Sequence, residues 1–180
     1  VVMSTLYIWE AANLFVGDED PTKGKHLMLM NLKLPSFEEI YQEHHAGGSR
    51  VQIEVELGIK KFEPTFKLVG FDPDLLVQFG LGSKAKKIFT AYASIRDKRS
   101  GLVIEGKATM EGRLGKIAPD EYKRGDLMGN DYAINELTHY ELYFNRKEKF
   151  YWDFFTNAFR VDGIDTNADE NAILRIPSNV

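Results

Sequence analysis

Cysteine is absent from this chain of 180 residues. Disulfide bonds, thiolate zinc sites and thiol nucleophiles are therefore excluded. Long apolar runs are also missing, because none reaches the ~20 residues that a membrane-spanning helix needs. No charged-then-apolar signal peptide opens the sequence either. We expect a soluble protein that is made in a cytoplasm and does not insert into a membrane.

An excess of positive charge is also missing, since 23 Lys and Arg against 27 Asp and Glu give a net charge of -4 and an isoelectric point near 5.6. Such a chain has no basic surface for tight binding of nucleic acid. The motifs of common enzymes are missing too, since the sequence contains no nucleophile elbow, phosphate-binding loop, dinucleotide fingerprint or helical zinc motif. We therefore expect a protein without enzyme activity and without a cofactor.

Strand signals, by contrast, are abundant. Apolar and polar side chains alternate in residues 51–57, and a second alternation covers residues 62–68. In the first stretch the apolar set is Val51, Ile53, Val55 and Leu57, and the polar set is Gln52, Glu54 and Glu56. Alternation of this kind predicts strands with one face buried and one face in water.

The β pattern continues on both sides of this stretch, with single strands before it and two hairpins after it. The predicted ranges are 5–16 and 26–34 for the strands, 86–114 and 131–156 for the hairpins, and 97–101 and 145–148 for their turns. One face of the second arm of the first hairpin carries Glu105, Lys107, Thr109, Glu111 and Arg113. The pattern predicts a mainly β, antiparallel fold in a single domain over residues 1–180.

Helices are predicted at two places only. Asp72 can cap free backbone N–H groups and Pro73 suits the first helical position, while Gly80 and Gly82 should end that helix. The tail, residues 160–180, is expected to form a turn and a short terminal helix. Residues 35–50 and 115–129 lack sustained alternation and are predicted to be loops.

Candidate chemical sites are few. His44 and His45 could bind a metal together with Glu43, but only from a loop, because adjacent strand residues point to opposite faces. Exposed loop histidines are the simpler interpretation. Loop aspartates could form the carboxylate pair of a glycosidase, although aspartates in turns usually serve the turn geometry. These turn and loop residues are Asp97, Asp120, Asp126 and Asp131.

Two cationic clusters, residues 84–87 and 96–99, could bind an acidic partner, although solvated strand ends explain them more simply. The aromatic residues near 150–159 could form a sugar-stacking face. Alternation places Phe150, Trp152 and Phe154 on one side, which core packing explains more simply. A carbohydrate-binding β-sandwich therefore stays open as an alternative.

The order of the segments resembles the major tail tube protein family of contractile-tailed bacteriophages. The resemblance rests on "NLFVGDEDP", "LKLPSFEEIYQEHHAGGSRVQIEVELGIKKFEPTFKLVGFDPDLLVQFG", "IRDKRSGLVIEGKATMEGRLGKI", "YKRGDLMGNDYAINELTHYELYFN" and "RVDGIDTNADENAILRI". It runs from Asn13 to Ile176. Each motif alone is weak, but their shared order and spacing make a strong signal.

The resemblance implies an antiparallel β-barrel or sandwich of the tail tube type, with a short flanking α-helix, that joins its copies into a continuous β-barrel ring. Hexameric rings would stack into a virion tail tube, made in the host bacterial cytoplasm, whose lumen conducts the genome and the tape measure protein. The implied partners are further copies of the chain, the tail sheath protein, the baseplate or tube initiator, the tail terminator and the tape measure protein. DNA would pass in transit without specific binding.

The resemblance also assigns roles to particular side chains. Residues expected to face the lumen are Glu54, Glu56, Glu105, Lys107 and Glu111. The long loop over 35–50 is expected to reach the adjacent ring, with contact residues Phe37, Ile40 and Tyr41. Two related alternatives remain, the tube of a phage-tail-like bacteriocin and that of a type VI secretion system.

Overall fold

The computed structural model describes residues 3–79 and 86–177. Eleven strands and two α-helices lie within this part of the chain. The strands are β1 (Tyr7–Val16), β2 (Leu29–Lys33), β3 (Glu39–His44), β4 (Ile53–Ile59), β5 (Thr65–Val69), β6 (Lys87–Asp97), β7 (Val103–Pro119), β8 (Gly129–Phe144), β9 (Lys147–Asp153), β10 (Ala158–Val161) and β11 (Ile164–Asp165). The helices are α1 (Pro73–Leu76) and α2 (Ala168–Leu174), and a single 3-10 turn spans Pro21–Lys23.

Nine of the strands form one antiparallel sheet with the order β1-β6-β7-β8-β9-β10-β11, in which β5 joins β8 and β2 joins β5. The prediction of a mainly β, antiparallel fold with short helices is confirmed. Strand β7 pairs with β6 along only one half of its length, and β7 and β8 continue as a pair past the end of β6. Each of these two long strands therefore belongs to two parts of the sheet. Register shifts at Glu111/Arg113 and Leu114/Lys116 mark where they bend.

The bend brings two parts of the sheet face to face around the core. Phe66 of β5 lies 6.3 Å from Phe89 of β6, ring centre to ring centre, although these strands do not pair. Gly112 permits the close approach at the bend, since a Cβ atom there would come within 2.9 Å of the Asn135 carbonyl oxygen. The side chains buried between the layers include Leu14, Leu68, Phe89, Met110, Tyr132, Ile134 and Tyr140.

The predicted start of α1 is confirmed. The Asp72 carboxylate accepts hydrogen bonds from the N–H groups of Asp74 (3.1 Å) and Leu75 (3.3 Å). The same carboxylate forms an ion pair with Lys25 at 2.5 Å, and the Asp72 side chain is only 4% exposed. Leu75, which is fully buried, is thereby held in the core. Gly80 and Gly82, predicted to end this helix, lie outside the described residues.

Asp72 is expected to be a large contributor to the stability of the subunit. Asp72→Ala removes the helix cap and leaves the Lys25 ammonium without its carboxylate, so the free energy of unfolding should fall by about 3 kcal/mol. Asp74→Ala is the matched control, because Asp74 is exposed on the same helix, and should change the value by less than about 0.5 kcal/mol. Urea titration measures the free energy of unfolding of both variants, with all proteins in the same assembly state. Equal losses for Asp72→Ala and Asp74→Ala would contradict the assignment.

Several predicted boundaries are wrong. Residues 35–50 are not one loop, because β3 lies within them and pairs with β4 in a separate two-stranded sheet. The loop predicted over 115–129 is shorter, since β7 continues to Pro119. The turn of the second hairpin consists of Asn145 and Arg146 alone, both with positive φ, the geometry of a two-residue hairpin turn. The hairpin turn at 97–101 is confirmed, with Asp97 N–H donating to the Leu102 carbonyl at 2.9 Å.

Candidate assembly surfaces

The β3–β4 hairpin projects from the sheet as a separate arm. Its base is closed by a hydrogen bond from the Lys60 N–H to the Glu38 carbonyl at 2.8 Å. The face expected to be buried is exposed instead: Ile53 retains 56% of its accessible surface, Val55 41% and Leu57 60%. The expectation of one buried face on residues 51–57 is therefore wrong within the subunit. An apolar strand face in water indicates a surface that another molecule covers.

The two faces of the hairpin differ in chemistry. Residues directly opposite on paired strands share a face, so Gln42 with Val55 and His44 with Ile53 lie on the apolar side. Tyr41 with Glu56 and Glu43 with Glu54 lie on the other side. The hydrogen bond from Tyr41 to the Glu39 carboxylate raises the pKa of the Tyr41 hydroxyl, and the negative charges of Glu54 and Glu56 add to the shift. One side of the hairpin is apolar and the other acidic.

The three residues expected to contact a neighbouring ring have separate positions. Ile40 pairs with Gly58, and the register of the hairpin shifts between Ile40 and Tyr41. Tyr41 lies on the acidic side. Phe37 lies at the base, where its ring is 4.7 Å from Phe150 and 5.8 Å from Phe62, centre to centre. Phe37 therefore anchors the hairpin to its own subunit, while about half of its surface stays exposed. The exposure of the apolar side chains of β4 was not predicted, because their alternation also fits an ordinary core strand.

The candidate lumen residues fall on two different sheets. Glu54 and Glu56 belong to the hairpin, whereas Glu105, Lys107 and Glu111 lie on β7 in the main sheet. On β7 these side chains are exposed or half-buried, and they alternate with the buried positions 106, 108, 110 and 112. The main sheet thus has a polar face opposite the core, as predicted for the second arm of the hairpin over residues 86–114. The structure does not bring the five residues together.

The polar face of the main sheet is dense with paired charges. Lys107 lies 3.8 Å from the Glu19 carboxylate and 5.4 Å from the ring centre of Tyr92, and the Tyr92 hydroxyl donates to Glu19 at 2.7 Å. On the neighbouring strands, His139 lies between Glu141 (2.7 Å) and Asp153 (3.0 Å). His139 on β8 is thereby linked to Asp153 on β9.

The environment of His139 predicts a pH dependence. Its hydrogen bond to the Glu141 carboxylate raises the pKa of the imidazole above 6.5, and Asp153 adds to this against the effect of burial. A group whose pKa is raised in the folded state stabilises the fold fully below its unfolded pKa, here about 6.5. This stabilisation is lost as the pH rises through the pKa of the folded state. The same hydrogen bond lowers the pKa of Glu141 below 4.5, so its contribution is lost on acidification. The pair should contribute most between about pH 4.5 and 6.5.

His139→Gln should therefore lower the free energy of unfolding more at pH 6 than at pH 9. Urea titrations of the two proteins at both pH values measure the difference. His26→Gln serves as the control, since His26 is exposed. The assignment would be contradicted if the loss of unfolding free energy caused by His139→Gln were larger at pH 9 than at pH 6.

The remaining candidate sites have ordinary surroundings. No group of three His, Asp or Glu side chains in the described ranges could hold a metal ion, and His45 is bonded to the Ser49 carbonyl at 2.8 Å. Arg96 and Lys98 both pair with Glu10. In the other cationic cluster, Lys84 and Ala85 lie outside the described residues. No helix among residues 3–79 and 86–177 is long and apolar enough to cross a membrane.

The aromatic group is divided between core and surface. Phe150 is buried in the core, and Trp152 and Phe159 pack against it. Phe154 was expected on the same side but is exposed, because β9 ends at Asp153 and the chain turns there. Phe154 and Phe155 form an exposed pair, 5.4 Å apart between ring centres. These rings form no flat platform for a sugar, since their planes are 80° apart.

Strand β1 leaves one edge of the main sheet open. Among the described strands it pairs only with β6. The Gly17 N–H donates to Ile88 of β6, whereas the Leu14 carbonyl accepts from Lys25 on the side away from β6. Strand alternation then directs the backbone groups of Ala12 away from β6 as well. An open edge of this kind can pair with a strand of another chain.

Comparisons with known proteins identify one family and several solved structures with a similar fold. The model of a family described as phage tail tube protein FII matches residues 11–174. A chain in the cryo-EM structure of the anti-feeding prophage (AFP) baseplate has a TM-score of 0.53 at 12% identity, covering 78% of this chain and 97% of that chain. No curated protein matches the chain.

Two further similar chains come from an extracellular contractile injection system (PVC). One, in its sheath/tube terminator, has a TM-score of 0.52 at 11% identity and covers 76% of this chain and 97% of that chain. The other, in its sheath–tube complex, has a TM-score of 0.50 at 10% identity and covers 71% and 86% respectively. At these identities the likeness concerns the fold.

Proposed function

The chain belongs to the phage tail tube protein FII family, and on that premise we propose that it is the major tail tube subunit of a contractile phage, a single domain that forms hexameric rings stacked into a tube. The observation that carries the proposal is the family match over residues 11–174, from within β1 to the end of α2. The family is a structural one, which confirms the expectation of a non-enzymatic protein and sets the carbohydrate-binding alternative aside.

The open edge of β1 supports lateral assembly. When this edge pairs with the far side of the sheet in the next copy, each ring becomes one closed barrel without free edges. The contact is head-to-tail, so it must be repeated around the ring until the ring closes. The alternating polar and apolar faces of β6 to β9 then separate a water-filled lumen from the subunit cores.

The exposed hairpin supports axial assembly. Ile53, Val55 and Leu57 would contact the adjacent ring, with Ile40 beside them, and Phe37 would hold the hairpin base in place. Tyr41 lies on the acidic side and would contribute at the rim of the contact. Such a hairpin covers its apolar face only when rings stack, which couples burial of that face to growth of the tube.

The polar face of the main sheet is the proposed wall of the lumen, with Glu105, Lys107 and Glu111 in it. Carboxylates there repel phosphate, so DNA can pass without adhering, and the tape measure protein would occupy the same lumen. Glu54 and Glu56 could reach the lumen only at the junction of two rings. The tail sheath protein, the baseplate or tube initiator and the tail terminator are the proposed partners at the outer wall and the two ends.

The charge of the lumen wall should control DNA transit. Particles carrying Glu105→Lys with Glu111→Lys should eject DNA more slowly and with a steeper dependence on salt, because each lysine adds contacts to phosphate. Asp169→Lys with Glu170→Lys makes a comparable change on exposed α2 residues and should leave ejection unchanged. Normal ejection by the first variant, with tubes intact, would contradict this placement.

A second candidate is the tube of a headless particle, either a phage-tail-like bacteriocin or another injection system such as a type VI secretion system. The similar folds in contractile injection systems favour keeping it. Size-exclusion chromatography and negative-stain microscopy of the purified chain test the function common to both, and a strictly monomeric protein would overturn it. Microscopy of native particles, with or without DNA-filled heads, separates the two candidates.

A further inference from the structure

We propose that Glu148 and Glu19 withhold Arg160 and Lys107 from the phosphates of passing DNA, because they occupy the groups with which these two cations would otherwise bind it. The inference rests on the proposed lumen wall and concerns how a wall that contains cations stays free of adhering DNA. It assigns Glu148 and Glu19 as the residues that keep the affinity of the wall for nucleic acid low.

Strand register places both cations on the polar face of the main sheet. Residues directly opposite on paired strands share a face. Lys107 and Thr109 lie on this face of β7. The pairs Thr109–Glu141, Glu141–Tyr151 and Tyr151–Arg160 carry the same face across β8 and β9 to β10. Arg160 therefore belongs to the proposed lumen wall although it is distant from Lys107 in the sequence.

The guanidinium group of Arg160 is already engaged within the subunit. Its Nε donates to Oε1 of Glu148 at 2.9 Å, and its Nη2 donates to Oε2 of the same carboxylate at 3.1 Å. This two-donor edge is the one that arginine uses to bind two phosphate oxygens side by side. The Cζ atom of Arg160 also lies 3.7 Å from the ring centre of Tyr151, which covers one flat side of the group. A phosphate could bind this edge only by displacing Glu148.

Lys107 is paired with a carboxylate that comes from outside the sheet. The loop after β1 brings Glu19 over the polar face, where the Tyr92 hydroxyl donates to it at 2.7 Å. The Lys107 ammonium lies 3.8 Å from the same carboxylate. The hydrogen bond from Tyr92 lowers the pKa of Glu19 below 4.5, so this side chain keeps its negative charge at neutral pH.

The pairing removes the usual gain of a cation that meets DNA. Lysine and arginine bind phosphate largely because mobile counterions are released into the solvent. A cation whose counterion is a carboxylate fixed in the same subunit releases none of these ions and loses its own ion pair. In a stack of rings the same contact would repeat along the whole path of the DNA, so even weak adhesion at each subunit would add up.

The test is the binding of a short fluorescent DNA duplex to purified rings, measured by fluorescence anisotropy between about 50 and 200 mM salt. Glu148→Gln keeps a hydrogen-bond acceptor for Arg160 but removes the charge. Rings of this variant should bind the duplex roughly tenfold more tightly than unaltered rings and with a steeper dependence on salt. Glu148→Gln with Arg160→Gln should return the affinity to that of unaltered rings. Glu19→Gln should act on Lys107 in the same way, with reversal by Lys107→Gln.

A matched control separates this account from an effect of net charge alone. Glu111→Gln removes one carboxylate from the same face and leaves both ion pairs in place, so it should raise the affinity clearly less than Glu148→Gln does. Equal affinities of these two variants would overturn the inference. So would rings of Glu148→Gln that bind DNA no better than unaltered rings, or tight binding that survives the loss of Arg160.

The outcomes for the inference and for the proposed function differ. Negative-stain microscopy shows whether each variant forms rings, and an unaltered chain that forms none would contradict the proposed function itself. Where Glu148→Gln does not form rings, Glu19→Gln with and without Lys107→Gln replaces it. Tighter binding that Lys107→Gln reverses is then the expected result, and unchanged binding by Glu19→Gln overturns the inference.

Discussion

Removal of the hairpin should yield rings that do not stack. Residues 39–59 can be replaced by two glycines, because the Lys60 N–H and the Glu38 carbonyl are hydrogen-bonded at 2.8 Å and the chain ends are therefore close. Phe37 and Phe62 remain, so the aromatic base beside Phe150 keeps its packing. The loss of tubes should be complete under conditions in which the unaltered chain polymerises. Negative-stain microscopy measures it directly.

Point changes separate the two sides of the hairpin. Ile53→Ser, Val55→Ser and Leu57→Ser together should abolish stacking, since they remove the apolar surface that the next ring covers. Glu54→Ser with Glu56→Ser on the acidic side should leave tubes that form at higher protein concentration. Equal behaviour of the two sets, with both proteins folded, would contradict the apolar contact.

A proline at the open edge of β1 should prevent ring closure. Ala12→Pro removes a backbone donor that points away from β6, so the β1–β6 ladder is kept while pairing with a neighbouring copy loses a hydrogen bond and meets the proline ring. We expect monomers in place of hexamers by size-exclusion chromatography. Ala12→Ser, which keeps the donor, is the matched control and should form rings. Hexamers of Ala12→Pro would show that the lateral contact uses a different edge.

Local chemistry was predictable wherever a short segment decides its own conformation. Asp72 and Pro73 begin α1 because a carboxylate cap and a fixed φ act within one turn of helix. The turn between β6 and β7 follows from Asp97, whose side chain accepts from the Arg99 N–H and the Ser100 hydroxyl. The alternation on β7 likewise predicted which of its side chains are buried and which form the polar face.

The prediction failed where pairing over distance decides the structure. The segment Glu39–His44 is a strand only because β4 lies beside it, and its own residues do not alternate between polar and apolar. The bend of β7 and β8 depends on contacts near Gly112 and Asn135 that no local pattern reveals. The exposed side of β4 could not be foreseen either, since Ile53, Val55 and Leu57 have the same pattern whether the covering layer is the same chain or another copy.

Helical reconstruction by cryo-EM of assembled tubes tests the central claim most directly. We expect six copies per ring, β1 of each copy hydrogen-bonded to a strand of its neighbour, and residues 53–57 in contact with the next ring. A tube with the β4 side chains in solvent and the edge of β1 unpaired would contradict the account.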